Sequence, residues 1–122
     1  MPRLNDFPVS KHFRLWEFES KPTRSVRLSP DLVARLQRLR DLLSRPVIVL
    51  SGYRTPEHNA RVGGVAGSFH MQGLAADVTW EGFEIDGAVQ LAEQTGFDGI
   101  GRYPRKGFLH VDVRGYWARW EE

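Results

Sequence analysis

The clearest periodicity in the chain lies between residues 30 and 43. Leu32, Val33, Leu36, Leu39 and Leu43 recur at spacings of three and four, while Arg35, Arg38 and Asp41 fall on other faces. That pattern predicts an amphipathic helix with one buried stripe. Ser29 is placed to cap it, Pro30 suits the first helical position, and Asp31 complements the positive end of the helix dipole. Pro46 forbids continuation. Val47 to Leu50 is wholly apolar and partly β-branched, which predicts a short buried strand broken by Ser51-Gly52. Thr55-Pro56-Glu57 reads as the start of a short helix near 56–62, and Gly63, Gly64 and Gly67 then make a loop. Ala75 to Trp80 alternates and predicts a strand. Asp86 reads as the cap of a helix over 86–95 that Gly96 ends. Phe97 to Tyr103 and Phe108 to Val113 read as two strands joined by a turn at Pro104 to Gly107.

Residues 1–28 lack a regular period and carry Pro2, Pro8 and Pro22. They are expected to form an arm that packs through Phe13, Trp16 and Phe18. Helices and strands mix without βαβ alternation, so the expected class is α+β: one small domain over residues 1–122, with an antiparallel sheet packed against helices.

Composition narrows this picture. A chain of 122 residues, 41% of them hydrophobic, fits one core and not two. The net charge is +2 and the basic residues are spread along the whole sequence, so no nucleic-acid-binding stripe stands out. The absence of cysteine excludes disulfides and thiolate metal sites. No run approaches the roughly 18 apolar residues of a membrane span, and MPRLNDFPVS is not a signal peptide. The expectation is a protein made soluble and a monomer, with the compartment left unfixed.

Three residues stand out chemically. Asp77 falls in an apolar strand, where a carboxylate is costly unless something neutralises it. An ion pair with Arg54 would do so, and so would a metal. His110 also sits in an apolar run, between Leu109 and Val111, and His70 follows the glycine-rich loop. Two histidines and a carboxylate are a donor set for catalytic zinc that leaves a fourth position open. Side chains alternate along a strand, so Phe108, His110 and Asp112 share a face. Asp112 would orient His110, act near the site, or face solvent. Ser68 either fixes its loop or touches a substrate. Tyr53 and Tyr103 are placed to reach a cleft, though tyrosine in strands is commonly packing. His12 and His58 read as surface residues. Tyr116, Trp117 and Trp120 either cover the core or line a groove.

The segments SGYR at 51–54, SFHMQGLAAD at 68–77 and GFLHVDV at 107–113 resemble the zinc D-alanyl-D-alanine peptidases of the peptidase M15 family. That family carries S-x-H-x-x-G-x-A-x-D followed far downstream by a histidine. Ser68, His70, Gly73, Ala75 and Asp77 match every fixed position, and the likeness extends over nearly all of residues 10–120. The resemblance implies a Hedgehog/DD-peptidase-like fold and zinc (Zn2+) held by His70, Asp77 and His110. It implies that Arg54 steadies the substrate or the developing oxyanion. It also implies a substrate among the stem peptides or cross-links of peptidoglycan, cut by a D-Ala-D-Ala carboxypeptidase or DD-endopeptidase. Ser68 and Tyr103 are the expected substrate contacts. One departure is Gly107, which stands where better-known members place a general-base carboxylate; Asp112 and Asp98 are the candidate replacements. Two alternatives follow: a zinc-containing module that binds cell wall or peptide without turnover, or a phage-type L-Ala-D-Glu endolysin.

Overall fold

The computed structural model describes residues 3–122, so Pro2 of the arm lies outside the described residues. Helix α1, Pro30–Leu43, begins as its sequence dictates. Ser29 Oγ accepts from the Leu32 N–H at 3.4 Å, and the helix ends at Ser44 in the left-handed region. Its five periodic apolar residues are all buried. Strand β1, Ile48–Ser51, follows, then the short helix α2, Pro56–Arg61, capped by Thr55. Strand β2 is Ala75–Thr79, helix α3 is Ile85–Gln94, β3 is Gly99–Tyr103, β4 is Phe108–Asp112 and β5 is Ala118–Glu121.

The five strands form one sheet in the order β1-β2-β4-β3-β5. Neighbours are antiparallel except at one seam, where β5 runs parallel to β3. The sheet is therefore mixed, whereas the sequence led us to expect a purely antiparallel one. The difference comes from residues 113–117, which carry the chain from the end of β4 past β3 to its far edge. The C-terminal aromatics that read as a cover for the core belong to this crossing and to β5. Tyr116 and Trp117 are 59% and 73% exposed, so those two do not cover it.

Alternation along the strands divides the sheet into two faces. Ala76, Val78, Ile100, Leu109 and Val111 join Leu32, Leu36, Leu39, Ala88 and Ala92 of the helices in the core. The opposite face carries Asp77, Tyr103, His110 and Asp112. The arm packs as expected through Phe13 and Phe18, both buried with ring centroids 5.8 Å apart, while Trp16 is half-buried beneath the Arg3 guanidinium.

Two local expectations change. The run 47–50 is not uniformly buried. Strand β1 is a sheet edge, and only Val47 and Val49 turn inward, leaving Ile48 and Leu50 almost half exposed. Asp86 does not cap α3. Glu84 holds the N-cap position and Asp86 sits in the first turn, where its carboxylate accepts from Arg102 at 2.7 Å.

Candidate metal centre

His70 is delivered by a single 3-10 turn, Phe69–Gln72, that follows the glycine loop. Ser68 Oγ caps this turn by accepting the His70 N–H at 3.2 Å, and Gly73 closes it with φ +72°. His70 Nδ1 lies 2.8 Å from the Gly52 carbonyl oxygen, which can only accept. Nδ1 therefore carries a proton, and Nε2 faces Asp77 Oδ1 at 3.3 Å.

Asp77 and His110 face each other across the β2–β4 ladder, where they are directly paired. His110 Nδ1 is 3.1 Å from Asp77 Oδ1. The two imidazole rings stand 5.1 Å apart and nearly perpendicular. One donor atom from each of His70, Asp77 and His110 thus comes within 4.8 Å of the others, an arrangement that could hold a metal ion. The residues fit such an ion chemically. Each histidine has its second nitrogen occupied by a fixed acceptor, which orients the remaining lone pair as in metal-binding histidines generally.

Arg54 occupies the other side of Asp77. Its Nη2 donates to Asp77 Oδ2 at 3.3 Å, so Oδ1 serves the histidines and Oδ2 the guanidinium. The guanidinium is oriented by Ser51 Oγ at 3.1 Å and Asn59 Oδ1 at 3.3 Å. The sequence reading missed Asn59. It is buried, and its amide also donates to the Val65 carbonyl, tying the glycine loop to Arg54. Its only sequence signal was a polar residue on a short helix.

Asp112 is placed differently from the expectation that it acts at the reacting centre. Its carboxylate is fully buried, with Oδ2 2.7 Å from His110 Nε2. Arg114 takes the remaining capacity through Nε, Nη2 and its backbone N–H. Arg114 in turn lies over the rings of Phe69 and Trp120. Asp112 therefore stands behind His110, away from the cleft. Asp98, the other candidate base, is also elsewhere: its Oδ2 accepts from Gly115 N–H at 2.9 Å at the start of β3. Gly107 occupies a turn with φ +74°, where its carbonyl accepts from Thr79 Oγ1 at 2.7 Å. A side chain there would be strained.

Two other glycines make the site possible through close approach. A Cβ at Gly99 would strike the Asp112 carboxylate, and one at Gly101 would strike the Trp120 indole. Trp120 lies 5.0 Å from the His110 ring, so both glycines make room for groups that buttress this histidine.

The electrostatics follow from this geometry. Burial alone would raise the Asp77 pKa, but hydrogen bonds from His110 and His70 outweigh it and hold the carboxyl well below the usual range. Asp112 is held low in the same way, against burial, by His110 and Arg114. Burial would lower the His110 pKa, but the Asp112 and Asp77 carboxylates outweigh burial and raise it.

The three donors lie in a cleft of about 430 Å3 that Arg54, Ser68, Tyr103, Trp120 and Glu122 also line. Ser68 and Tyr103 are thus both on its wall. Trp120 Nε1 donates to Tyr103 Oη at 2.9 Å, Tyr103 donates to Glu122 Oε2 at 3.0 Å, and Phe108 stacks on the Tyr103 ring. Glu122 was not singled out from the sequence, because nothing local marks a terminal glutamate as facing a cleft. His58, read as a bare surface residue, has a buried partner in Ser20 Oγ at 2.8 Å.

The family model for peptidase M15 matches residues 11–112, and the chain belongs to that family. It is similar to the peptidoglycan L,D-endopeptidase MepK of Escherichia coli K12, at 38% identity over 120 residues covering 93% of this chain and 61% of the relative. The MepK proteins of Escherichia coli O157:H7 and Shigella flexneri match equally. The chain spans about three fifths of the length of these curated relatives. Among the described residues, no helix is long and apolar enough to cross a membrane.

Proposed function

We propose that this protein is a zinc-dependent peptidase that hydrolyses a peptide bond in the stem peptides or cross-links of peptidoglycan. The observation that carries this reading is the convergence of His70 Nε2, Asp77 Oδ1 and His110 Nδ1, each with its other polar atom engaged by Gly52, Arg54 or Asp112. Zinc held there by His70, Asp77 and His110 would supply a Lewis acid for polarising the scissile carbonyl and acidifying the attacking water.

The remaining roles belong to the chain. Arg54, beside Asp77, donates to the oxygen on which negative charge develops. Gly52 and Asp112 act through the histidines, fixing which nitrogen of each ring faces the centre. Among the described residues, Asp77 and Glu122 are the carboxylates lining the cleft. Asp77 is taken by its partners, so we assign Glu122 to accept the proton of the attacking water and return it to the departing amine. Tyr103 and Ser68 orient the peptide. The similarity to peptidoglycan L,D-endopeptidases favours cleavage at an L,D bond over the D-Ala-D-Ala type that the motif resemblance implied.

Digestion of defined muropeptides carrying L,D or D,D cross-links, followed by mass spectrometry, tests this reading. Zinc-dependent release of fragments, abolished by Asp77→Ala, is expected. Retained zinc with no released fragment from any muropeptide would contradict it. Such a result would favour a binding module built on the same metal centre.

A further inference from the structure

A second hollow, of about 210 Å3, adjoins the metal cleft and shares Arg54 and Val62 with it. A peptide lying across the metal centre past Arg54 therefore runs into this hollow. Its floor is the end of β1 and the residues that follow, Leu50 to Tyr53, and its wall is formed by His58 and Val62 from the α2 region. Leu50 and Val62 are 43% and 53% exposed and give it an apolar side.

The polar side is built rather than incidental. Ser20 Oγ is fully buried, accepts from the Thr55 N–H at 3.3 Å and lies 2.8 Å from His58 Nδ1. The hydroxyl can keep this bond to Thr55 and donate its own proton to Nδ1. The His58 ring then carries its own proton on Nε2, as a donor without a partner among these bonds. Burial first, and then the positive charges of Arg54, Arg61 and Lys21, lower the His58 pKa. Lys21 stands on the rim. The hollow's one carboxylate, Glu19, is only 8% exposed and is turned toward the arm, where Asn5 donates to it at 2.9 Å and Arg3 lies 3.9 Å away. Arg54 is already engaged with Asp77. The side-chain donors of the hollow that lack any partner among the described residues are thus Lys21, the Tyr53 hydroxyl and, in this tautomer, His58 Nε2, beside an apolar wall.

We infer that this hollow is a subsite for a carboxylate carried by the substrate peptide close to the scissile bond, received by Lys21 and His58 Nε2 with its aliphatic neighbour against Leu50 and Val62. The inference rests on the peptidase reading for its substrate, but its test does not depend on turnover. The carboxylate can be a chain-terminal one or a side-chain one, and the two make different enzymes. A terminal carboxylate here fits trimming of a chain end, and a side-chain carboxylate fits cleavage within a chain.

The test uses the full chain with its metal and N-acetylated alanine dipeptides in three forms: free C-terminal acid, C-terminal amide, and a C-terminal amide with glutamate last. Binding is followed by titration calorimetry and by the imidazole NMR signals of His58. One acid form is expected to bind about tenfold more tightly than the neutral amide, the scale of one charge-assisted hydrogen bond, and to shift the His58 signals. Which acid form wins identifies the source. Lys21→Gln, a change at an exposed residue, is expected to reduce that preference severalfold, and His58→Gln to do the same where it folds. Equal binding of acid and amide overturns the subsite. So does an acid preference that survives Lys21→Gln with no shift at His58, because the carboxylate is then read elsewhere, including at the metal. A protein that cuts muropeptides but binds acid and amide equally loses the subsite and keeps the peptidase. One that cuts nothing but shows the Lys21-dependent preference keeps the subsite and loses the peptidase.

Discussion

The two faces of the sheet are made by alternate residues of the same strands, yet they do opposite things. On β4, Leu109 and Val111 point into the core and are fully buried. His110 and Asp112, one position away, are also almost fully buried, but on the face that holds the donors. Burial stabilises the first pair by removing apolar surface from water. It would destabilise the second pair if each polar atom lacked a partner. The site face is therefore held by a connected set of bonds, from Gly52 through His70, Asp77 and His110 to Asp112 and Arg114. The lesson is that equal burial on two faces carries different consequences: the core tolerates changes of shape by degrees, whereas the site depends on individual atoms.

Substitutions on the two faces sharpen this contrast. The largest effect is expected from His110→Ala or His70→Ala. Each removes a donor, so bound zinc, measured by elemental analysis, should fall from about one per chain to near none. Activity should fall with it, while circular dichroism stays that of a folded protein. On the core face, Leu36→Ala should cost about 2–5 kcal/mol in denaturant unfolding. Zinc bound per folded molecule should be unchanged. If Leu36→Ala released zinc as fully as His110→Ala, the separation of the two faces would fail. Asp112→Asn is expected to be intermediate. It keeps the shape but replaces a charged acceptor behind His110, and zinc affinity should fall about 10–100-fold by competition with a chelator.

A smaller effect is expected from pH. In the metal-free protein the His110 pKa is raised, chiefly by Asp112 and Asp77 against the opposing pull of burial. Its charged form therefore contributes stability that is fully present below the ordinary histidine value of about 6.5 and is lost as pH rises through the raised value. Asp77 and Asp112 are held low, so their contribution is present above about pH 4 and is lost as pH falls through their depressed values. Thermal melts of the metal-free protein should thus show falling stability from about pH 6.5 upward. Zinc competes with the His110 proton, so the zinc-dependent rise in melting temperature should grow over the same range. A zinc effect that weakens as pH rises there would contradict the assignment of His110 Nδ1 as a donor.

Much of this was legible in the sequence, and the reason differs between elements. Helix α1 was readable because its cap, its periodicity and its terminating Pro46 all pointed the same way. Asp77 and His110 were readable because polar residues in apolar strands are costly, and His70 because it shares a recognisable motif with Asp77. Strand β5 was not read from the sequence, because ARWE alternates over only four residues and is a strand through its pairing with β3. Asp112 was placed on the correct face, with orienting His110 among its possible roles, but neither its full burial nor its Arg114 partner was foreseen. Period-two reasoning fixes the face, whereas the burial of Asp112 depends on Gly99 and on Arg114, whose position follows from the crossing after β4. Glu122 and the Ser20–His58 pair join residues far apart in sequence, and no local pattern marks such contacts.

X-ray absorption at the zinc edge on the purified protein tests the central claim most directly. The expected spectrum shows two imidazole nitrogens and carboxylate oxygen at about 2.0–2.2 Å, and in His110→Ala the signal disappears with the metal. A bound metal without imidazole ligands, or a spectrum that His110→Ala leaves unchanged, would contradict the account.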